Sequence, residues 1–177
     1  MAGWVNVDCV PLPGVDVVVE LDDPEKVTFP WLYDTVDEFA AFHVLEHIRW
    51  PLPLMQEAWR CAKPDATFTV ACPYGSSDDA DEDPTHVRRL FLNSFLYFSQ
   101  PAYHRADYGY RGDWEVETIT LDLPAHYSGV AKEDILQDMM SLRNVVVQMT
   151  AVLRAVKPAR EPLAELQRPP SVQLRIT

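Results

Sequence analysis

The chain has 177 residues, of which 47% are hydrophobic and 11% aromatic, enough for one domain with a proper core and too apolar for a disordered segment. Its formal charge of −12 opposes a phosphate backbone, and the nearest thing to a basic stripe, Arg154, Lys157, Arg160 and Arg168, is diluted by Glu161 and Glu165, so nucleic acid is not expected as a partner. The odd set Cys9, Cys61 and Cys72 lacks metal-ligand spacing and reads as reduced thiols, and with no basic start before an apolar run and no stretch of about 18 apolar residues the expectation is a cytoplasmic protein outside the membrane.

In chain order, Trp4 to Asp8 reads as a short buried strand ending in an acid, and the β-branched run Val15 to Leu21 as a second strand. Glu38 to Phe42 forms a third. Pro51 to Ala62 is a helix, with Leu54, Ala58 and Cys61 at helical spacing and proline at its start, where a missing N–H costs little. Thr67 to Cys72 is a strand, and Ser76 to Asp83 an acidic loop lacking the glycine and terminal glutamate of a calcium loop. Asp83-Pro84 predicts an N-cap followed by a helix through Arg88 to about Phe98. Trp114 to Leu123 alternates as a strand on the antiparallel side. Lys132 to Val156 predicts one long helix, because Ile135, Met139, Leu142, Val146, Met149, Leu153 and Val156 step by three or four. Pro158 to Pro170 is a connector, and Ser171 to Thr177 a closing strand.

Strand, crossover and strand in the first half imply an α/β fold with a parallel sheet whose chemistry sits at the carboxyl ends of the strands. Those ends carry Asp8, Glu20, His43 and Pro73. His43 and His47 flank Glu46 at i, i+4, a spacing that invites a metal, but without H-E-x-x-H order the expectation is a pocket wall and a helix start, with no metal. His86 offers an imidazole that can take a proton near neutral pH, or can pack in the first turn of its helix.

Three segments together carry a resemblance: G-W-V-N-V-D at 3–8, D-T-V-D-E-F-A-A-F-H-V-L-E-H-I at 34–48, and E-A-W-R-C-A-K-P-D-A-T-F-T-V-A-C-P at 57–73. They resemble the class I S-adenosylmethionine-dependent methyltransferases, especially the type 11 branch, over roughly residues 3–100. The resemblance implies a Rossmann-like sheet, mostly parallel with an antiparallel side, in a single domain with a cofactor-side half (1–73), a substrate-side region (74–130) and a closing helix and strand (131–177). It implies S-adenosylmethionine as cofactor. Asp8 would accept hydrogen bonds from both ribose hydroxyls, Glu20 and Leu21 would lie near the adenine, and His43, Val44 and Leu45 would line the pocket. Glu46 and His47 would open the short helix beyond. The acceptor, a small molecule or a protein, would meet His86 as general base, with Tyr97 and Tyr103 nearby.

The departures are equally specific. In the family a first strand and a glycine-rich turn precede the acid by about twenty residues. Only seven residues precede Asp8, so the expectation is a sheet missing its usual first strand, with two strand edges left unpaired. Lys63-Pro64-Asp65-Ala66 also stands where the family has K-P-G-G. The true start could lie upstream; a strand from Ser171–Thr177 or from a partner could fill the slot; or the sheet could have closed as a degenerate domain. Two functions follow: methyl transfer to an O, N or S nucleophile, or a non-catalytic binding, assembly or structural subunit, in a homo-oligomer or with a partner chain completing the sheet.

Overall fold

The computed structural model describes residues 3–177 as seven strands and three α-helices joined by short 3-10 turns. In chain order these are β1 (Val7–Asp8), β2 (Val17–Val18), β3 (Val36–Phe42), α1 (Pro51–Cys61), β4 (Ala62–Pro73), α2 (Asp79–Glu82), β5 (Trp114–Leu123), α3 (Lys132–Ser141), β6 (Gln148–Ala155) and β7 (Ser171–Ile176). They form two sheets: a parallel pair β1-β2, and a five-stranded sheet in the order β3-β4-β6-β5-β7. In the larger sheet β3 pairs with β4 and β5 with β7 in parallel, while β6 runs against both of its neighbours.

The large sheet's middle is a core in the strict sense. Val70, Met149, Ala151, Leu153, Ile119 and Leu121 are fully buried, and Trp114 seals one end by donating its indole N–H to Met55 O at 2.9 Å. Strand β6 alternates half-buried and buried positions along its whole length, the period-2 pattern of a sheet face. A bulge between Val116 and Thr118 turns Glu117 outward, where it accepts from Arg154 Nε at 2.9 Å. At the opposite end of β5, Asp122 is buried and takes both prongs of Arg175 from β7 at 2.6 Å, which pins the last strand in register.

Several sequence expectations are corrected. The long helix from Lys132 to Val156 stops at Ser141, and the rest is β6. Residues 145–147 are three consecutive valines, and the turn before them is made by Asn144 at φ 59°, a left-handed conformation that asparagine tolerates. Periods of 3.6 and 2 coincide at Met149, Leu153 and several neighbours, so spacing alone could not separate the two. No helix spans Arg88 to Phe98: Asp83 spends its carboxylate on the N–H and hydroxyl of Thr85, and 94–98 and 100–103 are 3-10 turns. The strand read over Trp4–Asp8 is only Val7–Asp8 and only half-buried, with Trp4 and Val5 exposed. The acidic run at 76–83 contains α2 and is tied to the β6 turn, where Asn144 exchanges two 2.7 Å hydrogen bonds with Asp78.

The expected break in the sheet is present. Among the described residues β1 pairs only with β2 and β3 only with β4, so each keeps one edge without a strand. Strand β7 does not fill that position; it lies beside β5 at the far side of the large sheet. The β3 edge is correspondingly open, with Phe42 63% exposed.

Candidate functional site

The carboxyl ends of β1, β2, β3 and β4 carry the residues read from the sequence. Asp8 closes β1, and one carboxylate oxygen accepts from Val10 N at 2.9 Å, fixing the turn that follows. Glu20 lies two residues past β2, exposed, and Leu21 packs its half-buried side chain on the core. Asp8 and Glu20 are close enough that both raise the thiol pKa of Cys9, after burial, the largest cause. His43 and Val44 follow β3. His43 N continues the parallel ladder to Ala71 O at 2.9 Å, then the backbone turns through φ 55°. A non-glycine residue in that region costs on the order of 1 kcal/mol and is over-represented where a chain is held for function.

These two groups sit on different sheets, and Asp22 joins them. Its Oδ1 accepts the amides of both Arg49 and Trp50, so the loop leaving β2 is clamped to the segment leaving β3. Because Trp50 is the N-cap of α1 and Pro51 opens the helix, the same carboxylate serves that helix's start. Sequence reasoning passed over Asp22: an acid in a D-D-P turn looks like ordinary loop chemistry.

Beyond Val44, Leu45–His47 make one 3-10 turn that drives Leu45 and Glu46 into the interior. Residues 85–90 fold back over this turn. Val87 N and Arg88 N both donate to Glu46 O, at 2.9 and 3.1 Å, and the Arg88 guanidinium reaches Ile48 O and Arg49 O. Gly75 permits the close approach: its N–H donates to Leu90 O at 2.7 Å, and a Cβ there would meet the Phe91 ring at 2.7 Å. The fold-back brings His86 to His47, ring centroids 4.7 Å apart and edge to face. The sequence set His47 beside His43; the structure sets it beside His86, 39 positions along the chain.

Glu46 is 2% exposed, and neither of its oxygens has a hydrogen-bond partner among the described residues. His43 Nδ1 lies 3.2 Å from Oε1, a charged contact only when that ring is protonated and without hydrogen-bonding geometry. The nearby Cys72 thiol is pushed up to about 12, chiefly by burial and then by the Glu46 charge, which makes it inert. Asp83 is held below the usual carboxylate range by its two Thr85 hydrogen bonds, with the adjacent His86 and His47 adding to the effect.

The aromatic residues assigned to a substrate side stand apart. Tyr97 lines an open cleft of about 380 Å³ with His104, Arg105 and Tyr108, and Tyr103 lines a neighbouring one of about 240 Å³ with Gln100 and Arg111. None of Asp8, Glu20, His43 or His86 borders either.

In residue type alone the strand ends suit an adenosine: a carboxylate at the end of β1, an acid and a leucine after β2, and a histidine and a valine after β3. A cradle for the methionine end does not stand at this rim among the described residues, since Gly14 precedes β2 at its amino end and Gly75 is filled by Phe91.

No protein-family model matches the chain, and no curated protein matches it. Solved structures do. An S-adenosylmethionine-dependent methyltransferase from Archaeoglobus fulgidus superposes with TM-score 0.55 at 13% identity, covering 85% of this chain and 75% of that one. One from Mesorhizobium loti gives TM-score 0.50 at 11% identity, covering 85% and 79%. The cyclase SpnF gives 0.49 at 15% identity, and there the chain spans only 56% of the other protein's length. Identities this low speak to architecture alone, and the architecture that the Archaeoglobus and Mesorhizobium structures establish is the class I, Rossmann-like fold of the S-adenosylmethionine-dependent methyltransferases.

Proposed function

We propose that the chain is an S-adenosylmethionine-dependent methyltransferase domain acting on an O, N or S nucleophile of a small molecule or a protein. The observation that supports this best is the placing of Asp8 at the end of β1 and of His43 just after β3, with the Asp22 carboxylate tying the loop after β2 to the Arg49-Trp50 segment beyond β3. When bound, the cofactor supplies an activated methyl group. The chain's own share is orientation. The Asp8 carboxylate accepts from the two ribose hydroxyls, Glu20 and Leu21 border the base, and His43 and Val44 form the opposite wall. His86 holds its Nδ1 3.3 Å from Ala80 O, which leaves Nε2 to take a proton from the acceptor in a metal-free chain. The cradle for the methionine end comes from a segment or partner pairing between β1 and β3, and the domain works in the cytoplasm, as a homo-oligomer or with that partner.

The test is calorimetry of the 177-residue chain with S-adenosylhomocysteine. Heat that disappears in Asp8→Ala supports the reading; no heat from the chain alone or with a completing partner overturns it. The free edges of β1 and β3 favour one second reading, a non-catalytic binding or assembly domain, under which that titration stays flat while the chain still self-associates or captures a strand.

A further inference from the structure

Glu46, His47 and His86 lie together with one ligand atom of each within 4.8 Å of the others. From this cluster we infer that the chain binds a divalent transition-metal ion of the zinc class, held by the Glu46 carboxylate and the Nε2 atoms of His47 and His86. The site does not depend on the cofactor reading above, and an ion held by His86 Nε2 excludes the general-base role given to that atom in the metal-free chain.

Three observations converge on it. The first is Glu46 itself, buried with both oxygens unpartnered. A buried carboxylate without a hydrogen bond calls for a cation beside it, and two imidazoles flank the place where one would sit. The second is the way both rings are fixed. His86 Nδ1 faces Ala80 O at 3.3 Å, an acceptor only, so the proton sits on Nδ1. His47 Nδ1 faces Thr85 O at 3.3 Å and Thr85 Oγ1 at 3.0 Å. That hydroxyl donates to Asp83 Oδ1 at 2.6 Å, so it receives the His47 proton. Both Nε2 lone pairs are thereby free, and outer hydrogen bonds on the distal nitrogen are what metal-bound imidazoles show. The third is chain geometry: the ladder from Val87 and Arg88 to Glu46 O holds the two ligand-bearing segments together before any ion arrives.

The ligand atoms are a little wider apart than bonds of about 2.0–2.1 Å impose, so the ion draws them in by roughly an ångström. Two nitrogens and one carboxylate leave at least one position open for water or an external donor, as in zinc sites that do chemistry. Other charges face the cluster. Asp83 Oδ2 lies 3.9 Å from His86 Nε2 and would strengthen a cation site, while the Arg88 guanidinium is spent on backbone carbonyls. The competing account makes His43 the counter-charge of Glu46.

The metal-stripped full chain is titrated with zinc by calorimetry and with cobalt by absorption. One equivalent should bind. Glu46→Gln and His86→Ala should each weaken binding by more than about 100-fold, and Thr85→Ala, which only positions His47, by roughly 10- to 100-fold. A His104→Ala/His126→Ala double variant should bind as the parent does. Without metal, Glu46→Gln should melt above the parent, a readout that needs no ion and also shows that the variant folds. Overturning results are the absence of binding by the parent, binding indifferent to Glu46→Gln and His86→Ala, a thiolate-to-cobalt band from Cys72, or loss of binding in His43→Gln alone. S-adenosylhomocysteine binding that survives in Glu46→Gln would separate this site's fate from that of the methyltransferase reading.

Discussion

Asp113→Asn should destabilise the chain more than any surface change of similar size. Asp113 is 0% exposed. Its carboxylate accepts from Gln100 N at 3.1 Å and from Arg160 through the backbone N–H, Nε and a terminal nitrogen at 2.9, 2.9 and 2.8 Å. Those bonds fasten the proline-rich connector to the start of β5. Breaking a buried pair by removing one charge costs about 3–5 kcal/mol. Arg160 keeps Glu115 at 2.7 Å, so the lower end applies, about 3 kcal/mol. For a chain of this size that corresponds to a melting temperature lower by about 6–12 °C. Urea unfolding followed by circular dichroism should show a lower midpoint with an unchanged slope. Replacing Asp113 and Arg160 together by leucine should recover much of the loss, since packed apolar groups often match a buried ion pair. The cluster lies at the opposite end of the large sheet from His43, so metal uptake at low temperature should be unaffected. A drop below about 2 °C for Asp113→Asn would refute the assignment of a buried, energetically coupled pair.

Thiol labelling at pH 8 should modify Cys9 slowly and leave the buried Cys61 and Cys72 untouched, and S-adenosylhomocysteine should slow it further if a ligand sits at Asp8; mass spectrometry reads both. Asn144→Ala loses both hydrogen bonds to Asp78 and keeps the left-handed turn, so it should cost about 2 kcal/mol, whereas Asn144→Gly should recover the strain portion. Asp107, paired with Arg111, has its carboxyl held at about 2 by that guanidinium first and by Gly109 N–H second. Its folded value lies below the unfolded one, so the stability it adds is complete above about pH 4 and is lost as pH falls through about 2. Carboxyl chemical shifts in an acid titration should show this, and Asp107→Asn should remove it.

Much of the fold could be read from residues alone because several segments offered only one physical solution. Pro51–Cys61 has a helical period and clear ends, and Trp114–Leu123 is rich enough in β-branched residues to read as a strand despite the bulge at Glu117. Residues 132–156 misled because apolar side chains at 135, 139, 142, 146, 149 and 153 satisfy a helix while 149, 151, 153 and 155 satisfy a strand, and the deciding signal was the turn at Arg143-Asn144. At the site, Asp8, Glu20 and His43 were visible as strand-end residues. The Asp22 clamp and the pairing of His47 with His86 were not, since both depend on contacts across 27 to 39 positions that no local pattern encodes. Glu46 was named for its place in a motif; that its carboxylate lies buried without a hydrogen bond, close to the rings of His43, His47 and His86, is a property of packing.

The division between the small sheet and the large one bears on how tightly anything can be held at the rim. Asp8 and Glu20 are carried on a two-stranded ribbon and His43 and Val44 on a five-stranded slab; the Asp22 carboxylate stitches the two exits, and Val19 and Leu21 pack on the common core. A molecule grasped from both sides has to hold the two sheets in one arrangement, so any freedom they have in its absence is subtracted from its gross affinity. Hydrogen exchange should register this as amides of 7–18 and 42–45 becoming protected in concert on binding, as one cooperative unit formed from two.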